Sequence, residues 1–256
     1  MPVILNNNKK STFEDTYFDK NPAVIHHQNQ LLASPNGPKH PPLSDAEIRD
    51  LAGAPGGSSV TYRNVKKWPS SSDDKPPPGL YLTITHPTWI SNKNVIGLIW
   101  DGSDYEIYIK DVDFSDTAPK GLAGVMLAKI VRFCLNYKIR AIRLLAAGGR
   151  SWADRAPSAT PPTRWGGYYV WARCGFDMDL ADNPDQSDLD SKLFPYFLRH
   201  PANLKACQTV QDVIRLNGGP DWWRACGNGW FMAFDCSNVN TSSVLTLEAY
   251  LKEKSL

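Results

Sequence analysis

Lys120, Gly121, Leu122, Ala123 and Gly124 stand at the head of an apolar, helix-periodic run and directly follow a β-patterned stretch. The start of a helix leaves four backbone N–H groups without intrahelical partners and carries the positive end of the helix dipole. Glycine there lets an anion approach the backbone closely. Phosphate oxygens suit that geometry, and Lys120 adds a cation beside it. The same small residues also serve simply to pack a helix against a sheet, so both readings stay open. A second group is acidic: Glu106, Asp111 and Asp113 lie on or just after the preceding strand, and a carboxylate can serve as a general base. By alternation Glu106 shares a face with Tyr108 and Lys110, opposite Ile107 and Ile109, which equally suits a solvated side chain. The third group is the aromatic run from Tyr168 to Phe176, in which the Tyr168 phenol is a proton donor and the rings are also natural packing residues.

These residues need elements to hold them. Leu80, Leu82 and Ile84 alternate with Tyr81, Thr83 and Thr85, which predicts a strand. Val95 to Trp100 and Tyr105 to Val112 read as two more, joined by Asp101-Gly102-Ser103-Asp104, a sequence with hairpin chemistry. Three consecutive antiparallel strands are the simplest arrangement. Leu122, Met126, Ile130, Phe133 and Tyr137 recur at helical steps, while Lys129, Arg132 and Asn136 fall on other faces, so an amphipathic helix is expected from Gly121 to Tyr137. Ala141 to Ala146 is the next strand, and a strand, helix, strand crossover of this length makes its two strands parallel.

The loop from Gly148 to Thr163, with Arg150, Asp154 and Arg155, leads to a short helix around Trp165 to Cys174 that Gly175 should stop. Residues 182–220 read as an insertion with helices at Leu189 to Leu198 and Val210 to Leu216. Gly229 to Asp235 returns as a strand, and Ser243 to Lys254 closes as a helix. Residues 1–78 are rich in Pro, Ser, Asn and Gly and are expected to be an irregular arm, leaving 79–256 as the main domain. The exception is Ser44 to Ala52, where Ser44, Glu47 and Gly53 mark a capped short helix at the domain edge.

Composition sets the class. A chain of 256 residues that is 42% apolar can bury a sizeable core. The 28 basic and 26 acidic side chains nearly cancel, which argues against nucleic acid as the main partner, Lys66-Lys67-Trp68 notwithstanding. Five cysteines with no C-x-x-C pair fit free thiols and no metal site. His26, His27, His40 and His86 have no ligand spacing, and the Trp222-Trp223-Arg224 cluster with Trp230 suits either a groove or the cap of a core. With neither a leader nor a membrane-length apolar run, a soluble cytoplasmic protein without membrane attachment is expected.

The order of strand, small-residue turn, helix, strand and aromatic helix ending in Gly175-Phe176 resembles the GNAT acyltransferase superfamily. Its motif Gln/Arg-x-x-Gly-x-Gly/Ala lies between strand four and helix three, and Gly121 and Ala123 match the last two fixed positions. Ala118 stands where the family has Gln or Arg, and Lys120 is the substitute phosphate partner. Tyr168 to Phe176 is similar to the family's Phe-Tyr-x-x-x-Gly-Phe ending, with Trp171 at the family's Tyr position and Tyr168 one turn earlier.

The resemblance covers roughly Leu80 to Phe176, with Gly229 to Asp235 as the last strand. It implies an α/β, GNAT-like fold with a mixed, mostly antiparallel central sheet flanked by helices, in which two parallel central strands splay around a pantetheine arm. It implies acetyl-CoA, or another acyl-CoA, as co-substrate, held by Val112, Phe114, Lys120, Gly121, Leu122, Ala123 and Gly124. The acceptor it implies is a small-molecule or peptide amine, with Glu106 or Asp113 taking the amine proton and Tyr168 protonating the leaving thiolate. The rival reading is a GNAT-like binding or assembly module without chemistry, which Ala118 and Trp171 favour.

Overall fold

Alternating apolar and polar residues become strands here, and the strands share one sheet. The computed structural model describes residues 11–26, 43–68, 76–149, 166–180 and 202–256. Among them, β1 (Val24–Ile25), β2 (Ser59–Val65), β3 (Gly79–Thr85), β4 (Asn94–Trp100), β5 (Tyr105–Asp111), β6 (Ala141–Leu145) and β7 (Phe231–Asp235) lie in the sheet in chain order. The helices are α1 (Thr12–Glu14), continued by a π-helical turn (Asp15–Asp19), then α2 (Asp45–Ala52), α3 (Leu122–Tyr137), α4 (Gly167–Arg173), α5 (Val210–Arg215), α6 (Gly219–Cys226) and α7 (Ser242–Glu253). The fold is α/β with a mixed sheet: β1 runs parallel to β2, and β2 to β5 pair antiparallel in succession. The expected β3, β4 and β5 meander is therefore present.

The chain divides into two compact units, one of Met1–Arg143 with Asp235–Leu256 and one of Leu144–Phe234. In the first, one sheet face carries Leu80, Leu82, Ile84, Ile96, Leu98 and Ile107, each no more than 1% exposed. Burying side chains of this kind stabilises by about 1.5–3 kcal/mol each. Helix α2 lies against β3, β4 and α3, with Ile48 and Leu51 fully buried. It is thus a core element rather than the edge helix expected, although its capping box of Ser44 and Glu47 and its left-handed Gly53 stop form as read. The opposite sheet face carries Val65, Tyr81, Val95, Ile99 and Tyr108, with Trp68 packed on them. Gly97 makes room there: a Cβ on it would sit 2.5 Å from the Tyr81 ring, its cross-strand partner.

The stretch expected to be an irregular arm with one short helix supplies β1, β2 and the α1 segment to this unit besides that helix, α2. Ser59-Val60-Thr61-Tyr62 already alternates; the flanking Pro and Gly breakers mask that signal. Helix α3 also differs from the amphipathic expectation, because Lys129 and Arg132 are buried along with its apolar residues. Glu14, itself only 5% exposed, lies 3.4 Å from the Lys129 amine and 2.6 Å from the Arg132 guanidinium, and Asp50 reaches Lys129 at 2.8 Å. Charges can be buried when they are paired in this way.

The second unit is built on aromatics. Phe176 contacts both Trp171 and Phe234 edge-on, at 5.2 and 5.3 Å between centroids. Trp222 and Trp223 are buried, so they cap a core rather than line a groove. Gly175 stops the α4 segment at φ 100°. The Gln211 amide donates to the Ala172 and Phe176 carbonyls at 2.7 and 2.8 Å, satisfying acceptors left over at that helix end. The expected helix at Leu189 to Leu198 and the arginines of the Gly148 to Thr163 loop fall outside the described residues.

Candidate functional site

Antiparallel pairing of β4 with β5 places Ile96 opposite Ile109 but Val95 opposite Asp111, so Lys110 is an extra residue in β5. Such a bulge bends a strand and interrupts its ladder locally. The chain then continues through residues 112–114, where Phe114 bridges to Ile90, and turns at Ser115 to Ala118 before α3. Gly121 is the N-cap of α3 with φ 102°, a backbone conformation that glycine alone adopts without strain. The N–H of Leu122 closes a turn onto Pro119, whereas those of Ala123 and Gly124 have no backbone acceptor among the described residues. Lys120 is exposed and Ala123 half-buried. Two first-turn N–H groups thus lack a backbone partner among the described residues, one of them on the buried Gly124.

The α-carbon side of the same turn is closed. A Cβ on Gly121 would meet the Leu256 side chain at 2.4 Å, and one on Gly124 would meet Tyr250 at 3.1 Å and Leu251 at 3.3 Å. The two glycines therefore let α3 approach α7 and the residues that follow it. Of the two readings left open in the sequence, the packing one therefore holds on this side of the turn.

The acids separate. Asp113 is exposed, and its N–H donates to the Asn94 side chain at 2.8 Å. Asp111 pairs with the Lys110 amine at 3.1 Å. Glu106 sits at the other end of β5, roughly 20 Å from Asp113 at about 3.3 Å per residue. Contrary to the solvated position expected, it is 7% exposed and accepts two hydrogen bonds from the Arg143 guanidinium, at 2.6 and 2.9 Å. This pairing raises the Arg143 pKa further. The Arg143 guanidinium thus holds the Glu106 carboxylate in a two-point contact.

Tyr168 belongs to the second unit. Its hydroxyl donates to the Arg224 carbonyl, and its own carbonyl accepts the Trp223 indole N–H at 3.1 Å. The structure therefore gives it a packing role. That unit also holds a cleft of about 320 Å³ lined by Asn203, Cys207, Asp212 and Arg215, among others. Asp212 is committed to the α5 capping box, and burial pushes the Cys207 thiol up, away from a reactive thiolate. Among the described residues that line it, neither of these two side chains is a nucleophile poised for chemistry.

Beside residues 113–117, in the first unit, lies an aromatic cluster that the sequence does not announce. His86 stacks on Trp89 at 4.3 Å, Trp89 meets Tyr17 at 5.6 Å, and Tyr17 meets Phe13 at 4.5 Å. Trp89 accepts the Ser115 N–H, and Thr88 accepts the Ser115 and Thr117 hydroxyls through its carbonyl. His86 accepts the Trp89 and Thr88 N–H groups through Nδ1. Burial lowers its pKa, against the opposing effect of a hydrogen bond to the Gly56 carbonyl. Its Nδ1 is engaged by two backbone N–H groups and is not open to act as a base. Among the described residues no cluster of His, Cys, Asp or Glu suits a metal ion, and no helix is long and apolar enough to cross a membrane. Compared with protein-family models, curated proteins and solved structures, the chain matches none of them.

Proposed function

We propose that this chain is an acyl-CoA-dependent N-acyltransferase of the GNAT type, with the cofactor pyrophosphate at the turn that opens α3. The observation that carries the reading is the succession of a bulge at Lys110, a short exit segment and a positive-φ glycine cap with first-turn amides lacking backbone acceptors. Residues 112–114 and Lys120 to Gly124 would hold the co-substrate, an acyl thioester that supplies the electrophilic carbonyl carbon. Binding energy at the pyrophosphate would orient that carbon for attack by an amine. Glu106 is removed from the catalytic set by its distance and by Arg143, and Tyr168 by its bond to Arg224. Asp113, exposed and next to the bulged strand end, remains as acceptor of the amine proton, directly or through water.

A binding or assembly module is the second reading. The commitment of Glu106 and Tyr168 to structural contacts, with Leu256 filling one side of the Gly121 turn, favours it. Incubation with acetyl-CoA and a panel of peptide, polyamine and small aliphatic amines, followed by thiol release, separates the two. Release that depends on the amine and falls at least tenfold in Asp113→Asn supports the enzyme. Stabilisation by acetyl-CoA, about 2.7 kcal/mol at a hundredfold excess over its dissociation constant, without any thiol release selects the module. No stabilisation at all rejects the enzyme and also favours the module.

A further inference from the structure

We propose that Asn94 is a positioning residue, which fixes the course of residues 112–114 by accepting the Asp113 N–H. The inference rests on the ligand-binding reading of the α3 turn for its functional half, and on geometry alone for its structural half. Asn94 opens β4 opposite Ile84, 1% exposed in an otherwise apolar interior. A buried amide at a place where Leu or Val would pack better costs desolvation unless it makes hydrogen bonds that nothing else can make.

The bond it makes is specific. β5 ends at Asp111 after the bulge at Lys110, so no strand residue of β4 offers a carbonyl to the Asp113 N–H in regular register. The Asn94 Oδ1 takes that place at 2.8 Å. Its Nδ2 lies 4.0 Å from the Met126 sulfur on the second turn of α3, so the same side chain reaches both the exit segment and the helix that the segment leads into. The neighbouring pairs, Ser91 N–H to the Asp113 carbonyl and Ser115 N–H to the Trp89 carbonyl, tie the segment to the stretch that leads into Asn94. Asn94 thus touches both the exit of the bulged strand and α3, and it helps to set the spacing between Asp113 and the Gly121 turn without itself touching a ligand.

Amide hydrogen exchange and acetyl-CoA titration of Asn94→Leu, Asn94→Ser and Asn94→Asp test this, with the amides of β3 as the control for an intact fold. Leu keeps the size and removes the acceptor, Ser shortens it, and Asp retains an oxygen in the same place. The expected result is exchange at Asp113 faster by about tenfold in the Leu and Ser variants. Acetyl-CoA affinity should fall by a similar factor, and both effects should reverse in Asn94→Asp. Unchanged exchange at Asp113 in both Leu and Ser variants, or an Asp variant no better than Leu, overturns the proposal. If the unaltered protein does not bind acetyl-CoA, the acyltransferase reading fails by itself while the exchange data still decide the role of Asn94.

Discussion

At the scale of single residues, the same side-chain types carry opposite roles according to what they touch. Glu106 and Asp113 stand seven positions apart on one strand and its exit, yet Arg143 holds the first and solvent the second. Glu106→Ala should lower stability by about 1–2 kcal/mol in a denaturant melt. That is less than a fully buried pair would lose, because the Arg143 side chain is 55% exposed. Acceptor-dependent thiol release at a temperature where the variant is folded should not change. His86 gives a pH dependence. Its folded pKa lies below its ordinary value, so the unfolded chain takes up the proton first, and stability present above pH 6.5 is lost as pH falls below it. Replacing His86 with Gln should flatten that part of the stability profile, measured by melts between pH 7.5 and about 5. Asp113 was legible as a candidate from its place after a strand. The burial of Glu106 was not, because alternation gives the face but not the partner that arrives on it from β6.

At the scale of elements, β3, β4, β5, α3 and β7 were legible from periodicity, and α2 from its cap and stop residues. Two features were not. Lys129 and Arg132 read as a solvated helix face because Glu14, the acid that pairs with both, comes from over a hundred residues earlier, in a stretch whose composition suggested no structure. The bulge at Lys110 leaves no trace in an apolar run. Glu14→Ala strands the buried Arg132 guanidinium, while Lys129 keeps Asp50, and should cost about 3–5 kcal/mol, measured by equilibrium unfolding; a cost under 1 kcal/mol would mean the α1 segment does not hold α3. Gly121→Ala forces a side chain into the left-handed region against Leu256 and should cost about 1–2 kcal/mol or more. Gly124→Ala, inside the helix and 3.1 Å from the edge of the Tyr250 ring, should stay near neutral because alanine favours the helix by about 1 kcal/mol. Comparing the two melts tells whether the glycine at the cap is there for its backbone angle or only for its small size.

At the scale of the molecule, the sheet and its helices form an α/β fold whose first unit gathers the bulged strand end, the exit segment and the α3 cap. The aromatic helix that the sequence suggested as part of the same site belongs to the second unit and is occupied with its own packing. The account therefore stands on whether the α3 turn grips a pyrophosphate. Isothermal titration with acetyl-CoA and with acetyl-pantetheine, which shares the thioester and arm but lacks the nucleotide and pyrophosphate, asks this directly. The account predicts that acetyl-CoA binds and that acetyl-pantetheine binds at least about tenfold more weakly, as the loss of charge-assisted hydrogen bonds requires. Equal affinities, or no binding of acetyl-CoA at millimolar concentration, would contradict it.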